Sequence, residues 1–519
     1  MNGKKRTYIM LSVAIIIQTI IFIIVGANKS YYHMDEAYSL GLASYDKTEI
    51  QNNEDFYKTW HDGKYYEDYL EVDEDEVTEF SQVYENQKND VHPPLYYLFL
   101  RIFMGFSIGE FSKWPGIILN IIIFAFITIF MTLILEKILK DKEKAIVLSF
   151  LSAIIMASLT NVIYIRMYAF STLNVLIITY LHMKLLDSEK IDVKLITLIG
   201  LSALIGSLTH YYYLFYLAML FLIFVIKYIK EKRIKELFAY IATMAIAGIL
   251  SLMIFPYSIN HMFFGYRGQG VISKLLNISE FAKSIKSYVT KIDQFVFNDT
   301  LMILITLSVL IIIYQKIKKQ KLLVEKNKYI KLIILPTIFY FFLVAVSAPW
   351  IELRYIMPIS QLIFVVVIYY LYVLLKNIFS SQDVNKIIIG ILAIVLVMPT
   401  ISKIEPEVMY SSKREIVSKI SEQHNVPAIY FFNMENNRFL DDIYLFSILD
   451  NSYIARDNEG TVENIKEILQ NQNLSNGIFV FINEGQDNDK ILEAVVNATD
   501  SSTCEWLERL NNSDVYYIK

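Results

Sequence analysis

The sequence predicts a polytopic α-helical membrane protein with a small α/β domain at its C-terminal end. Three observations predict this fold class. Of the 519 residues, 55% are hydrophobic, and the mean hydropathy is +0.40, which is more apolar than an ordinary soluble protein. Uninterrupted apolar runs of roughly 17 to 22 residues recur, a length that crosses the bilayer core as a helix. After residue 402 these runs give way to short alternating helical and strand patterns.

Composition excludes several other classes. The formal net charge of −4 is too small to indicate a nucleic-acid partner. Cys504 is the single cysteine, so the chain cannot form an internal disulfide. The sequence MNGKKR precedes the first apolar run, which is longer than a typical signal-peptide core and shows no obvious cleavage motif. We therefore expect an uncleaved first membrane helix.

About eleven segments are apolar and long enough to be predicted as spans. They are residues 8–26, 115–136, 145–161, 170–186, 194–210, 213–229, 237–255, 300–315, 331–348, 358–375 and 386–402. The segment 95–108 is shorter and carries Arg101 in its middle, which indicates a helix lying in the membrane interface.

Charge patterning favours this count. With eleven spans, the basic segments 136–144, 227–235 and 316–331 lie on the same side as the N-terminal Lys4, Lys5 and Arg6. Lysine and arginine are enriched in cytoplasmic loops. We therefore expect a cell-membrane protein with a cytoplasmic N-terminus and an extracytoplasmic C-terminal domain.

The chain is predicted to have two domains. Residues 1–402 form a transmembrane catalytic domain, and within it residues 27–114 form an acidic first outer loop that includes the interfacial helix. Residues 403–519 form an extracytoplasmic α/β domain of unknown role. Helices are expected at 413–423, 441–450, 461–470 and 490–498, and strands at 428–432, 477–482 and 515–519. The acidic run EVDEDEVTE lacks metal-ligand spacing and is typical of a solvated surface.

Unusual polar residues gather at the outward ends of the predicted helices. They occur in five motifs: the pair Asp35 and Glu36, HPPLYY at 92–97, RMY at 166–168, THYYY at 209–213 and LRY at 353–355. Each motif also has a plain structural reading, since prolines start helices, arginines snorkel and tyrosines form interfacial belts. Their occurrence on one face favours a single site, because ionisable groups near bilayer depth usually face a cavity.

In this order the five motifs resemble those of the GT-C membrane glycosyltransferases. The resemblance is to the dolichyl-phosphate-mannose–protein mannosyltransferase superfamily, including bacterial relatives that resemble the lipid A aminoarabinose transferase, and it covers about residues 1–400. Many bacterial relatives have Lys-Pro-Pro where this chain has His92, Pro93 and Pro94. The resemblance implies an enzyme that passes a sugar from a polyprenyl-phosphate carrier to an acceptor outside the cytoplasm, usually with inversion.

The resemblance also implies roles for individual residues. Asp35 is expected to be the general base for the acceptor, with Glu36 orienting Asp35 or the acceptor, or with the two roles exchanged. Arg166 and Arg354 suit the departing phosphate, because a guanidinium binds two of its oxygens and stays charged. The other candidate donor-binding residues are His92, Tyr96, Tyr168, His210, Tyr211 and Tyr355. Because His92 stands in place of lysine, it would add pH dependence near neutrality.

The expected partners follow from the same resemblance. They are a polyprenyl-phosphate-linked sugar donor, membrane lipid, and an acceptor that is a protein, a glycolipid or a cell-wall glycan. No nucleic acid and no required cofactor are expected.

Two alternatives stay open at this point. The many helices and intramembrane tyrosines would also suit a transporter or flippase of a lipid-linked or anionic solute, although the sequence shows no inverted repeat and no paired Gly/Pro-broken helices. A further alternative makes Asp35, His92 and His210 ligands of a divalent metal such as zinc, because these residue types suit that ion.

Overall fold

The computed structural model describes residues 3–44, 56–190, 192–264, 277–318, 327–376, 390, 405–432, 439–455 and 458–519. The helices in chain order are α1 (Gly3–Asn28), α2 (Met34–Ser44), α3 (Gly63–Glu67), α4 (Phe80–Asn89), α5 (Leu95–Met104), α6 (Trp114–Leu139), α7 (Lys142–Ala153), α8 (Met156–Ile163), α9 (Tyr168–Asp187), α10 (Val193–Ser207), α11 (Tyr213–Lys230), α12 (Ile234–Ile254), α13 (Ile278–Val296), α14 (Leu301–Ile317), α15 (Lys328–Ser347), α16 (Met357–Lys376), α17 (Arg414–Glu422), α18 (Ile443–Ile448), α19 (Asn458–Glu463), α20 (Ile465–Leu469) and α21 (Asn488–Thr499). The strands are β1 (Trp60–His61), β2 (Ala428–Phe431), β3 (Ser452–Ala455), β4 (Ile478–Asn483), β5 (Cys504–Arg509) and β6 (Ser513–Ile518).

Seven helices in the described part of the chain are long and apolar enough to cross a membrane, namely α1, α6, α9, α11, α12, α15 and α16. Each coincides with a predicted span. Two further predicted spans fall in bent helix pairs, α7 with α8 at 62° and α13 with α14 at 91°, which gives up to nine spans if each pair crosses once.

The predicted count of eleven is not confirmed. The predicted span 194–210 is α10, a helix of 15 residues, which is about 22 Å long and shorter than the ~30 Å hydrocarbon core. The predicted span 386–402 lies outside the described residues except for Gly390. The number of membrane crossings beyond seven to nine therefore stays a prediction.

The short helix expected at 95–108 is present as α5, which has 10 residues. Its Arg101 is fully buried and does not snorkel. The guanidinium instead donates to the carbonyls of Ala43 and Ser44 at 2.8 and 3.1 Å, where α2 ends. Cations are favoured at a helix C-terminus because the last carbonyls are unpaired. This contact fixes α5 against α2.

The C-terminal segment, defined here as residues 405–519, carries most of a six-stranded sheet in the order β1-β3-β2-β4-β6-β5. The neighbours β3, β2 and β4 are parallel, and the remaining pairs are antiparallel. Strand β1 comes from the loop between α1 and α6 and pairs Trp60 with Tyr453. The sheet is therefore built from two distant parts of the chain.

Most elements predicted for the C-terminal segment are confirmed. The expected strands are β2, β4 and β6, and the expected helices include α17, α18 and α21. The predicted helix 461–470 differs, because two short helices, α19 and α20, cover this region. Strands β1, β3 and β5 were not predicted.

Hydrogen bonds hold the C-terminal segment against the end of the helix bundle, beside the start of α2. The Tyr31 hydroxyl donates to Asp442 at 2.7 Å, and the Met34 amide donates to Asp441 at 3.0 Å. The buried Lys29 ammonium donates to the carbonyl of Val408 at 2.6 Å. This docking places Asp441 next to the Asp35 and Glu36 pair.

Candidate active site

A polar pocket of about 420 Å³ lies at this end of the bundle. It is bounded by the start of α2, the loop before α5, the loop between α8 and α9, the loop between α15 and α16, and the C-terminal segment. Its acidic lining residues are Asp35, Asp90, Glu352 and Asp441, and its basic or titratable ones are His33, His92, Arg166 and Arg354. Four of the predicted site residues, Asp35, His92, Arg166 and Arg354, therefore line one cavity.

The loop that carries Arg166 is positioned by contacts from two other helices. Helix α8 ends at Ile163, and Asn120 of α6 donates to the carbonyls of Val162 and Tyr164 at 3.2 and 2.8 Å. These bonds satisfy carbonyls that a helix end would leave unpaired. Glu36 accepts the backbone N–H of Ile165 at 3.0 Å. The arginine therefore projects from a backbone held on both sides.

Asp35 lies at the charged centre of the pocket. Its Oδ2 lies 2.5 Å from Nη1 of Arg354 and accepts the Tyr164 hydroxyl at 2.9 Å. Its Oδ1 lies 3.9 Å from Nη2 of Arg166. Burial alone would raise the pKa of the Asp35 carboxyl, but Arg354 and Arg166 outweigh it and hold that pKa well below its usual range. Asp35 is therefore an ionised carboxylate at neutral pH.

The two arginines are buried and incompletely bonded. Their side chains are 4% and 11% exposed. Arg166 donates to the Ser39 and Tyr97 hydroxyls at 3.1 and 3.2 Å, and Arg354 donates to the Tyr164 hydroxyl at 3.1 Å. The Nε atom of each arginine is buried and has no hydrogen-bond partner among the described residues. The Nη atoms lie beside Asp35 in the pocket, so the two arginines present positive charge to an anion there.

Glu36 points away from the pocket. Its carboxylate forms an ion pair with Lys29 at 2.9 Å, and both side chains are fully buried. It also accepts the backbone N–H of His33 at 2.9 Å. Adjacent residues on a helix point about 100° apart, which explains why Asp35 and Glu36 face different surroundings. Glu36 is thus placed to fix the backbone around Asp35 and Arg166.

His92 enters the pocket together with an acidic partner. Its Nδ1 lies 2.7 Å from Oδ2 of Asp90. Burial favours a higher pKa for Asp90, but the His92 ring outweighs it and lowers the pKa of Asp90 to about 2. The His210 ring lies behind His92 at a centroid distance of 6.0 Å and does not line the pocket.

Three predicted aromatic residues pack behind the charged groups. The Tyr168 ring lies 5.3 Å from His210 and 6.4 Å from Tyr355. The Arg354 guanidinium lies 5.2 Å from the centre of the Tyr355 ring, a distance at which a cation is attracted to the ring. Tyr168, His210 and Tyr355 therefore support the pocket from one side.

Like Tyr168 and Tyr355, the predicted substrate-binding residues Tyr96 and Tyr211 do not line this pocket. Tyr96 is fully buried and packs against Tyr97 at a ring-centroid distance of 5.7 Å. The Tyr211 hydroxyl is 2.9 Å from Nδ1 of His261, and Tyr211 lines a separate, mostly apolar cavity of about 420 Å³ beside α10, α11 and α12. Tyr96 shares its motif with the pocket residue His92, whereas no residue of the motif that contains Tyr211 lines the pocket.

The structure adds two residues at or beside the pocket that sequence reasoning missed. Tyr164 is 2% exposed and bonds both Asp35 and Arg354. Its closeness to Arg166 in sequence was the available signal. Asp441 reaches the pocket only because the C-terminal segment docks there, and no local pattern could have revealed it.

The alternative of a metal site is not supported by the described part of the chain. In those residues, no three His, Cys, Asp or Glu side chains form a group that could hold a metal ion. The expectation that activity requires no cofactor stays a prediction.

This chain is a multi-pass membrane protein that shares its fold with a solved structure of ArnT. The crystal structure of ArnT from Cupriavidus metallidurans bound to undecaprenyl phosphate aligns with a TM-score of 0.52 and 7% identity, covering 99% of this chain and 98% of that chain. The apo structure of ArnT gives a TM-score of 0.48 and 8% identity, with 97% of each chain covered.

No protein-family profile and no curated protein matches the sequence. The resemblance inferred from the motifs is confirmed at the level of the fold, by the structural match to ArnT. The structural alignment extends past residues 1–400 into the C-terminal segment, which is more of the chain than the motifs covered.

Proposed function

We propose that this protein is a glycosyltransferase that moves a sugar from a polyprenyl-phosphate carrier to an acceptor hydroxyl or amine, with inversion. One observation carries the proposal. Two buried arginines converge on an ionised Asp35 in a single pocket at the end of a membrane helix bundle. The fold supports it, because ArnT, which shares this fold, was solved bound to undecaprenyl phosphate.

The donor phosphate is proposed to bind Arg166 and Arg354. Both guanidiniums line the pocket, are largely desolvated and stay charged. Charge-assisted hydrogen bonds to phosphate are stronger than neutral ones. The pocket opens at the end of apolar helices, so a prenyl tail can remain in lipid while its phosphate and sugar enter the pocket.

Asp35 is proposed to be the general base. The acceptor oxygen attacks the anomeric carbon from the face opposite the phosphate and forms the new glycosidic bond. The bond between that carbon and the phosphate oxygen breaks, and the polyprenyl phosphate leaves with the electron pair. The acceptor proton passes to Asp35, and the configuration at the anomeric carbon inverts.

Donor binding is proposed to make Asp35 a stronger base. In the free protein Arg354 lies 2.5 Å from the Asp35 carboxylate and lowers its basicity. The singly charged phosphodiester of the donor on Arg354 offsets part of that positive field, and it also repels the carboxylate. Both effects raise the pKa of Asp35 toward the range in which a base works well. The base would then be weak until the donor is in place.

The acceptor is proposed to approach along the acidic wall formed by Glu352 and Asp441. Carboxylates accept hydrogen bonds from hydroxyl and amino groups. Asp441 belongs to the C-terminal segment, which gives that segment a part in forming the site. The acceptor class stays open between a protein, a glycolipid and a cell-wall glycan.

The proposed orientation puts the pocket and the C-terminal segment outside the cytoplasm. Its support is the distribution of charge. Arg6 lies 3.3 Å from Glu143 at the opposite end of the bundle, where Lys137, Lys140 and Lys142 also lie. Lysine and arginine mark cytoplasmic ends.

The test uses purified protein in liposomes with a labelled polyprenyl-phosphate sugar and a mixture of candidate acceptors. Asp35→Asn should reduce transfer by at least ~10³-fold, whereas the matched variant Asp489→Asn, on an exposed helix far from the pocket, should retain it. Wild-type turnover by Asp35→Asn would remove the base assignment. Movement of the carrier across the bilayer without sugar transfer would support the transporter alternative instead.

A further inference from the structure

A second polar cavity, of about 440 Å³, lies at the opposite end of the bundle from the candidate active site. It is formed where α6 and α16 end and where α15 begins. Four lysines line it, namely Lys137, Lys140, Lys328 and Lys376, together with the tyrosines Tyr329, Tyr369 and Tyr372. None of these residues contributes to the proposed glycosyl transfer.

The positive charge in this basic pocket is only partly neutralised. Asp187 lies 2.6 Å from Lys137 and 2.6 Å from Lys328, so one carboxylate serves two ammonium groups. Lys140 and Lys376 are exposed, and neither has a carboxylate within ion-pair distance among the residues that the structure describes. The pocket therefore carries surplus positive charge in a concave surface between helix ends.

Tyrosines hold the lysines in place and add hydrogen-bond donors. Lys137 and Lys328 lie 5.4 and 5.2 Å from the centre of the Tyr329 ring. Lys144 lies 5.9 Å from the Tyr372 ring. Amphipathic rings and lysine side chains suit the depth at which lipid headgroups meet hydrocarbon.

We propose that the basic pocket binds the phosphate-bearing headgroup of an anionic phospholipid. The ammonium groups would contact the phosphate, while the acyl chains would lie along the apolar surfaces of the surrounding helices. Lysines that only mark topology would explain the charge, but they would not explain a cavity large enough for a headgroup between three helices. In the orientation proposed above the pocket faces the leaflet where basic pockets commonly recruit anionic lipid.

The test compares lipid binding in two variants with matched charge loss. Lys140→Gln combined with Lys376→Gln removes the two lysines without a carboxylate partner. The control combines Lys230→Gln and Lys232→Gln, at the turn between α11 and α12 on the same end of the bundle. Lys232, like Lys140, has a left-handed backbone with φ of 56°. Each double variant therefore removes one lysine with this backbone conformation and one other exposed lysine. None of the four lysines contacts the candidate active site.

Each protein is placed in phosphatidylcholine nanodiscs with stepwise additions of spin-labelled phosphatidylglycerol, and quenching of an introduced fluorophore near Tyr372 reports binding. We expect the pocket variant to lose about fivefold affinity per lysine, or about 25-fold in all, and the control to change less than about twofold. Unfolding temperatures in pure phosphatidylcholine should match the wild type.

Two results would overturn the proposal. Equal phosphatidylglycerol affinity in the pocket variant and the wild type would show that the lysines do not bind lipid. Displacement of the labelled lipid by millimolar inorganic phosphate would identify a soluble phosphate compound as the ligand. Neither result bears on sugar transfer, so the lipid site and the glycosyltransferase proposal can fail independently.

Discussion

Replacing Arg354 with glutamine tests the core of the proposed site, because this arginine is placed to act on both donor and base. Its Nη1 lies 2.5 Å from Asp35, and Arg354 lines the pocket in which the donor phosphate is proposed to bind. The substitution keeps much of the side-chain volume and removes the positive charge. Two separate effects on the kinetics are therefore expected.

The first effect is on the leaving phosphate. Removing one preorganised donor from a desolvated site that stabilises developing negative charge costs about 3–4 kcal/mol, or 10²–10³ in kcat. Arg166 remains, so transfer should fall within this range and not disappear. Arg354→Lys keeps the charge but loses the two-pronged geometry, and it should recover only part of the loss.

The second effect is on the pKa of Asp35. In the folded wild type Arg354 and Arg166 keep this pKa well below its usual range, so the carboxylate stays ionised well into the acid region. Without Arg354 the pKa rises, since burial then has less opposition. The acid limb of the kcat/KM profile, which reports the free enzyme, should therefore move to higher pH.

The assay is initial-rate transfer from a synthetic polyprenyl-phosphate sugar, with donor and acceptor varied separately from acid to neutral pH. Arg509→Gln is the matched control, because that arginine is exposed on β5 and bonds Asp514 far from the pocket. An unchanged kcat, or an acid limb that stays in place while kcat falls, would refute the linked roles of Arg354.

Three further predictions concern neighbouring groups. Glu36→Gln breaks the fully buried ion pair with Lys29 and should lower the free energy of unfolding by about 3–5 kcal/mol. Denaturant unfolding measures this free energy. A change below about 1 kcal/mol would contradict the positioning role of Glu36. Burial raises the pKa of Asp442 to about 6, so the folded chain binds this proton more tightly than the unfolded chain. The free energy of unfolding should therefore increase by about 3 kcal/mol as pH falls from about 6 to about 4. Asp442→Asn should remove that slope in thermal unfolding, whereas a retained slope would assign it to another group. His92→Gln should raise the donor KM because it removes a ring nitrogen from the pocket lining, and an unaltered KM would exclude His92 from donor binding.

The sequence predicted the part of the site that depends on helix ends. Asp35, His92, Arg166 and Arg354 each follow or precede an apolar run, and apolar runs are the strongest signal in a membrane protein. Because such ends meet at one membrane surface, their convergence could be expected before any coordinates. The seven long helices were predictable for the same reason.

Other parts of the site depend on side-chain direction and long-range docking. Glu36 is next to Asp35 in sequence, yet a step of about 100° along the helix turns it toward Lys29. The break between α7 and α8 could not be predicted from a proline or glycine, because the two residues between these helices are Ile154 and Ile155. Asp441 lines the pocket only through tertiary contacts.

The pairing of β1 with β3 affects how the protein is made. The indole of Trp60 donates to the carbonyl of Ile468, 408 residues further along the chain. During synthesis the edge of β1 therefore stays unpaired until the residues around Tyr453 have been made. A nascent chain truncated before Ser452 would lack this partner, and one truncated before Asp441 would also lack the pocket carboxylate.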